Sequence, residues 1–258
     1  NDFTLKIGNM NGTGSASANS MLMKSLFRMG IPVCGKNYFP SNIQGLPTWY
    51  EIRVNAEGHL ARSGRVDVMI AMNAETYRKD HSEVATGGYL VYDSTWPRSQ
   101  LFNRADIHIL GVPLSRICNE NFDNARSRIL MKNIMYVGVL AALLDLDMNI
   151  IKQLLNEQFA AKASLLDANQ KAIDLGFAYA REHFSCPLPF RARALEKTRN
   201  HMMIDGNTTA ALGCLFAGAT EGAAGRVSVF PTMNIAAAPM PTSSRMAASP
   251  SHFARDRH

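Results

Sequence analysis

Apolar and polar residues alternate at the start of the chain. Phe3, Leu5 and Ile7 are separated by Thr4 and Lys6, the period-2 pattern of a strand. Beyond a glycine-rich turn the period changes. Ala18, Leu22, Ser25, Leu26 and Met29 recur at helical spacing, with Ser15 placed to cap the helix and Gly30 to end it. Ile31-Pro32-Val33 opens a second extended segment. A polar stretch with Gly and Pro runs from Lys36 to Thr48, and alternation then returns at Tyr50, Ile52 and Val54, with Glu51 and Arg53 on the other face. The turn Asn55-Ala56-Glu57-Gly58 predicts a hairpin at the end of that strand.

Three later runs set the fold class: Val66 to Met72, Tyr89 to Tyr92 and Ile107 to Val112. The first two are apolar on both faces and are separated by a helix-length segment, Ala74 to Val84, as expected of parallel strands covered on both sides. The pattern predicts an α/β fold: a three-layer, doubly wound, mostly parallel sheet followed by C-terminal helices. Ala125 to Leu144 is apolar nearly all round in its second half and is expected to be central, whereas Asn149 to Ala160 and Ala163 to Phe184 read as amphipathic helices. Ser185 to Pro189 and the basic stretch Arg191 to Arg199 read as a linker. A new element begins at Met202 and continues as a small-residue helix from Thr208 to Ala219. From Glu221 to His258 Gly, Ala, Pro, Ser, Met and Arg dominate without a sustained period, the composition of a disordered tail.

The 258 residues, 47% of them hydrophobic, can bury a substantial core. The unbroken apolar run Ile134 to Leu144 is far short of the roughly 18 residues that span a bilayer, so no membrane partner is expected. The opening Asn1-Asp2-Phe3 lacks a secretory pattern, which makes the cytoplasm the expected location, and it lacks an initiator Met, as a truncated start would. Cys34, Cys118, Cys186 and Cys214 form no C-x-x-C pair, which argues against a zinc site or a cluster held by this chain alone. The net charge of +6 comes from dispersed Lys and Arg with no aromatic-interleaved stripe, which points to an acidic partner or anionic ligand rather than nucleic acid.

The turn Ile7-Gly8-Asn9-Met10-Asn11-Gly12-Thr13-Gly14-Ser15 is the strongest candidate for chemistry. Its glycines permit tight curvature and close approach, and N–H groups at the helix start favour phosphate or carboxylate. A purely structural turn has the same composition. A dinucleotide site needs an acid about 20 residues after its glycines, and no Asp or Glu lies between Asp2 and Glu51; Lys36 stands there instead. No P-loop ending, G-x-S-x-G elbow, H-E-x-x-H or paired-carboxylate signature is present, and His59, His81, His108, His183 and His201 are isolated in sequence. Asp93-Ser94-Thr95-Trp96-Pro97 follows a buried strand at its carboxyl end, where open α/β sheets place ligands; an Asx turn closed by Pro97 is the plainer reading.

The glycine turn running into Ser17-Ala18-Asn19-Ser20, the loop Gly35 to Val54 with its Asn42-Ile43-Gln44-Gly45-Leu46-Pro47-Thr48-Trp49, and Ala71-Met72-Asn73 together resemble the gamma domain of 2-oxoacid:ferredoxin oxidoreductases, over about Phe3 to Phe184. Ile204-Asp205-Gly206-Asn207-Thr208-Thr209-Ala210-Ala211-Leu212-Gly213, with Gly218-Ala219-Thr220, resembles the opening of the alpha domain in members whose gamma and alpha parts are fused. The resemblance implies a gamma domain over 1–184, a linker over 185–201, the start of a thiamine diphosphate pyrimidine-type alpha domain over 202–220, and an aberrant or disordered tail over 221–258. Past Glu221 the family's Tyr-Pro-Ile-Thr-Pro stretch is missing, as a shifted frame, a truncation or divergence would make it, so the chain alone is expected to be catalytically incomplete.

What the resemblance implies for function is participation in oxidative decarboxylation of a 2-oxoacid to an acyl-coenzyme A, with electrons passed to ferredoxin. Thiamine diphosphate, iron–sulfur clusters and coenzyme A belong to the whole complex, none bound fully by this chain, and the partners are the enzyme's beta subunit and, indirectly, ferredoxin. No catalytic or metal-ligating residue is assigned here. The candidate cofactor or cavity contacts are Gly8, Asn9, Asn11, Gly12 and Gly14 in the turn and Asn42, Gln44, Gly45 and Trp49 in the long loop. Asn and Gln amides both donate and accept, which suits a carboxylate or a pantetheine-like amide. A stand-alone α/β protein that binds nucleotides or acidic metabolites without redox activity is the alternative reading.

Overall fold

The computed structural model describes residues 1–39, 45–97, 104–160, 162–217 and 234–239. Its chain order is β1 (Asp2–Met10), α1 (Ser15–Arg28), β2 (Val33–Tyr38), β3 (Pro47–Asn55), β4 (Val66–Ala71), α2 (Tyr77–Glu83), β5 (Val84–Asp93) and β6 (His108–Val112). Then follow α3 (Leu114–Asn121), α4 (Ala125–Leu144), α5 (Met148–Phe159), α6 (Ala163–His183), β7 (His201–Ile204), α7 (Gly206–Phe216) and β8 (Asn234–Pro239).

One mixed sheet takes the order β6-β5-β4-β1-β3-β2-β8-β7. The β1/β4, β4/β5 and β5/β6 pairs are parallel, as the doubly wound pattern predicts. The pairs on the other side of β1 are antiparallel. Of the tail expected from residue 221, the described part is β8, whose backbone bridges β2 and β7.

The strand predicted at Phe3, Leu5 and Ile7 forms as β1, and both of its faces are buried. Phe3, Leu5 and Ile7 enter the large core shared with α1 and α4, and Thr4 and Lys6 on the opposite face are buried as well. β1 lies between β3 and β4 in mid-sheet, so both faces are covered, and Lys6, only 5% exposed, is neutralised by an ion pair with Glu83 of α2. A second, smaller core joins Val66, Met69 and Ala71 of β4 to Tyr77 of α2 and Leu90 of β5. Two apolar layers therefore enclose the parallel strands.

The hairpin predicted at Asn55-Ala56-Glu57-Gly58 does not form. A local turn is present, with the Asn55 Oδ1 accepting from the Glu57 N–H at 3.0 Å and the His59 N–H at 2.9 Å, but the strand that follows, β4, pairs with β1 and β5 rather than with β3. The side chain of Asn55 satisfies the turn by itself, without a returning strand. The helix cap also differs: Gly14, in the left-handed region at φ 83°, occupies the N-cap position, and Ser15 is the first helical residue.

α4 begins where Asn124 accepts from the Arg126 N–H at 2.8 Å and the Ser127 N–H at 3.4 Å, and ends at Asp145 in the left-handed region. By length and composition α4 could cross a membrane, yet Met131 and Asn133–Leu144 are buried inside this fold. Gly138 of α4 and Gly176 of α6 let the two helix backbones meet. A Cβ on Gly138 would collide with the Ile173 carbonyl oxygen, and one on Gly176 with that of Met135.

The segment read as a linker is laid against the body. Its Leu188 and Ala192 N–H groups each donate at 2.8 Å to the Leu143 and Leu144 carbonyls, Leu195 N–H donates to Met29 O at 2.8 Å, and Lys197 N–H to Gly30 O at 3.0 Å. Gly30 is required at that contact because a Cβ would fall on the Leu195 carbonyl. After this strap come β7 and α7. Asp205 caps α7 by accepting from the Thr208 N–H at 2.9 Å, and none of the α7 side chains is buried, Leu215 and Phe216 included.

Candidate functional site

The carboxyl ends of β1, β4 and β5 open on a cleft of about 350 Å³. Asn9, Met10 and Thr13 bring the glycine turn to it, Met72 and Asn73 come from the end of β4, and Asp93 and Trp96 from the end of β5. Ile129, Lys132 and Asn133 of α4 close the side. Carboxyl ends of parallel strands are where open α/β sheets hold their ligands.

The turn is tied by side-chain hydrogen bonds. Asn9 Oδ1 accepts from the Met10 N–H at 2.8 Å and the Thr13 hydroxyl at 3.2 Å, while Asn9 Nδ2 donates to Asn133 Oδ1 at 2.9 Å. Asn133 Nδ2 in turn donates to the Thr13 carbonyl at 2.8 Å. One buried amide of α4 therefore clamps both ends of the turn. Gly12 and Gly14 adopt φ 86° and 83°, a region that excludes most side chains. We expect Asn133→Ala to cost about 2 kcal/mol, because it strands the buried Asn9 amide and the Thr13 carbonyl together. Urea unfolding measures that loss, and faster amide exchange at residues 10–15 would accompany it.

The candidates read from sequence divide in space. Asn9 lines the cleft. Asn11, Gly12 and Gly14 form the turn itself, and Gly45 joins them, since Asn11 N–H donates to Leu46 O at 2.9 Å and Gly45 N–H to Asn11 O at 3.3 Å. Gly8 and Trp49 belong to a different cluster, around Asp80 of α2. Asp80 is fully buried; its Oδ1 accepts from Trp49 Nε1 at 2.7 Å and its Oδ2 from the Thr76 hydroxyl at 2.7 Å. A Cβ on Gly8 would come 2.7 Å from Asp80 Oδ2, so Gly8 makes room for the carboxylate. Asn42 and Gln44 lie outside the described residues.

Several cleft residues were not among the candidate contacts, Asn73, Lys132 and Asn133 among them. Asn73 is 4% exposed; its Oδ1 accepts from the Glu75 N–H at 3.1 Å, which fixes the amide orientation, and its Nδ2 is buried with no hydrogen-bond partner among the described residues. An unpaired buried donor costs about 1–3 kcal/mol and calls for an explanation. Lys132 Nζ stands 3.7 Å from Asp93 Oδ2, although Asp93 already accepts from the Thr95 N–H at 3.2 Å, the Thr95 hydroxyl at 2.6 Å, the Ser115 N–H at 3.3 Å and the Ser115 hydroxyl. The Asx turn expected at Asp93 is present, and the same carboxylate staples β5 to α3. Trp96, 56% exposed, stands at the rim. Only the neighbouring Ala71-Met72-Asn73 and Asp93–Pro97 motifs signalled this region in the sequence; Lys132 and Asn133 carried no local signal.

Comparison with known proteins adds the decisive observation. The family model described as pyruvate ferredoxin/flavodoxin oxidoreductase matches residues 4–179, more than half of the chain. The chain belongs to this family. Its match coincides with the span, Phe3 to Phe184, over which the sequence resembles a gamma domain. Among curated relatives, 2-oxoacid:ferredoxin oxidoreductase 2, subunit alpha, of Aeropyrum pernix is 24% identical over 84% of this chain and 40% of its own length. Ketoisovalerate oxidoreductase subunit VorA of Methanothermobacter thermautotrophicus is 29% identical over 45% of this chain and 23% of its own. The chain thus spans well under half of either relative.

The fold has solved counterparts. The 2-oxoglutarate:ferredoxin oxidoreductase of Magnetococcus marinus, a structure with 2-oxoglutarate, coenzyme A and succinyl-CoA bound, superposes with a TM-score of 0.74 over 84% of this chain and 37% of that one, at 24% identity. The keto/oxoacid ferredoxin oxidoreductase gamma subunit of Geobacter sulfurreducens superposes with a TM-score of 0.55 at 16% identity, over 70% of this chain and 99% of that one.

Proposed function

We propose that this chain supplies the gamma portion, and the opening of the alpha portion, of a 2-oxoacid:ferredoxin oxidoreductase, and that it works only with polypeptides carrying the rest of the alpha part and the beta part. The observation that carries the reading is the order of its two pieces: a gamma-like body over 1–184, then the strap, then a β–α unit at 201–216 whose helix leaves Leu215 and Phe216 without cover. A β-strand and an apolar helix with no buried residue make the start of a domain rather than a finished one. The alpha-subunit relative of Aeropyrum pernix and the fold shared with the Geobacter sulfurreducens gamma subunit support the reading.

On this reading the reaction is oxidative decarboxylation of a 2-oxoacid to an acyl-coenzyme A, with electrons delivered to ferredoxin. Thiamine diphosphate and the iron–sulfur clusters are held by the complementing polypeptides in the cytoplasm. This chain contributes a wall of the reaction cavity: the clamped glycine turn with Asn11, Gly12, Gly14 and Gly45, and the adjoining cleft, whose unpaired Asn73 donor and Lys132 ammonium are available to a carbonyl or carboxylate oxygen. Co-expression with the complementary alpha and beta polypeptides of a family member, followed by size-exclusion chromatography, tests the reading. The expected result is one shared peak with 2-oxoacid- and coenzyme A-dependent reduction of ferredoxin. Folded chain that elutes alone would overturn it.

A further inference from the structure

At the opposite, amino-terminal end of β6 lies a second pocket, of about 660 Å³, that the proposed oxidoreductase role does not use. It is walled by Tyr89, Phe184 and Leu188, and its polar lining includes His108, His183 and Arg191, with no Asp or Glu among the lining residues. His108 pairs with Tyr89 across the strands, whereas Asp93 of the cleft pairs with Val112, so the two sites are four residue steps, about 13 Å, apart along the sheet.

The polar side chains of this pocket are held in place. The His108 ring stacks on Tyr89 with centroids 4.6 Å apart at 21°, and Phe190 supports Tyr89 edge-on at 5.6 Å. The His183 ring stacks on Tyr179 at 4.0 Å and 8°, and its Nδ1 lies 3.0 Å from the Tyr179 carbonyl. A neutral ring that donates from Nδ1 keeps Nε2 as its second polar atom, and a protonated ring makes Nε2 a donor. Arg191 sits on the strap between two anchored residues: Leu188 and Ala192 are tied to the end of α4, and Arg193 N–H donates to Asn1 Oδ1 at 2.7 Å. Neither the Arg191 guanidinium nor the His108 ring has a hydrogen bond or ion pair among the described residues. The Glu182 carboxylate lies 3.9 Å from His183 Nδ1 and is mostly exposed.

We propose that this pocket is a binding site for a nucleoside diphosphate, separate from the reaction cavity. A planar guanidinium and two imidazoles that line one pocket, with no carboxylate among the lining residues, suit a diphosphate, and the aromatic wall of Tyr89 and Phe184 suits a purine ring. The volume lies within the range of small-molecule sites. No local motif marks this pocket, because His108, His183 and Arg191 are brought together only by the sheet edge and the strap.

Calorimetric titration of the full chain with ADP, adenosine, inorganic pyrophosphate and coenzyme A tests the proposal. ADP is expected to bind, with adenosine and pyrophosphate each at least 10-fold weaker. Arg191→Gln and His183→Gln are each expected to weaken ADP at least 10-fold while leaving the thermal unfolding midpoint unchanged. Four results would overturn the proposal: no binding of ADP at millimolar concentration; equal binding of pyrophosphate; ADP affinity unmoved in both variants; or coenzyme A tighter than ADP, which would return the pocket to the reaction cavity. The proposed oxidoreductase role is read out by complex formation, so each can fail without the other.

Discussion

Gly138→Ala is expected to remove about 3 kcal/mol or more of stability. α4 is the central helix of the large core, and α6 lies directly against it. Their approach is set by glycines on both sides: a Cβ at Gly138 would overlap the backbone of Ile173 and crowd Phe177 N at 2.9 Å, and one at Gly176 would overlap the backbone of Met135. The obstructing atoms are carbonyl groups within a helix, which cannot swing aside as the end of a side chain can. The methyl group therefore has to separate the two helices, opening gaps along a packed interface. Ordinarily Gly→Ala in a helix interior is favourable by about 1 kcal/mol, so the sign of the outcome separates packing from propensity. Urea unfolding of the variant measures it; a loss below about 1 kcal/mol would show that α6 moves freely on α4 and would remove the close crossing as the reason for both glycines.

Those two glycines also show where sequence reading stops. Periodicity placed α4 at its observed bounds, Ala125–Leu144, because the apolar run in its second half is a local signal. The strands β1, β3, β4 and β5 were legible for the same reason. What periodicity cannot supply is the partner. The clamp on the glycine turn depends on Asn133, more than a hundred residues downstream, and nothing near Asn133 marks it as other than a polar residue in an apolar helix. Likewise the Asn55 turn carries a true local signal, yet whether the next strand returns beside β3 or crosses to the far side of β1 is decided by which edge of β1 remains unpaired. The family resemblance depended on short motifs, and these sit at the turn and the cleft, so the region of the site was legible while its buried polar wiring was not.

Removing the Asp80 side chain is the second large effect expected, and it is separable by pH. Asp80→Ala leaves the Trp49 indole N–H and the buried Thr76 hydroxyl without their acceptor and opens a void against Gly8, and should cost about 2–4 kcal/mol. Asp80→Asn behaves differently. Burial raises the Asp80 carboxyl above its ordinary value of 3.8, against the opposing influence of the Trp49 and Thr76 hydrogen bonds; the Glu83 charge adds to the rise and Lys6 opposes it. A carboxyl with a raised folded pKa keeps its proton where the unfolded chain has lost it. Its contribution to stability is therefore fully present below the unfolded value, near pH 4, and is lost as the pH rises through the folded value. Asparagine stays neutral throughout and can still accept from Trp49, so the Asn variant is expected to match or exceed the native chain at pH 8 and to lose that advantage at pH 4. Paired urea titrations at the two pH values measure this difference. An Asn variant less stable than the native chain by more than about 1 kcal/mol at pH 8 would mean that the ionised carboxylate, with Lys6 and its two donors, is the form the fold prefers, and that burial is not the controlling influence on Asp80.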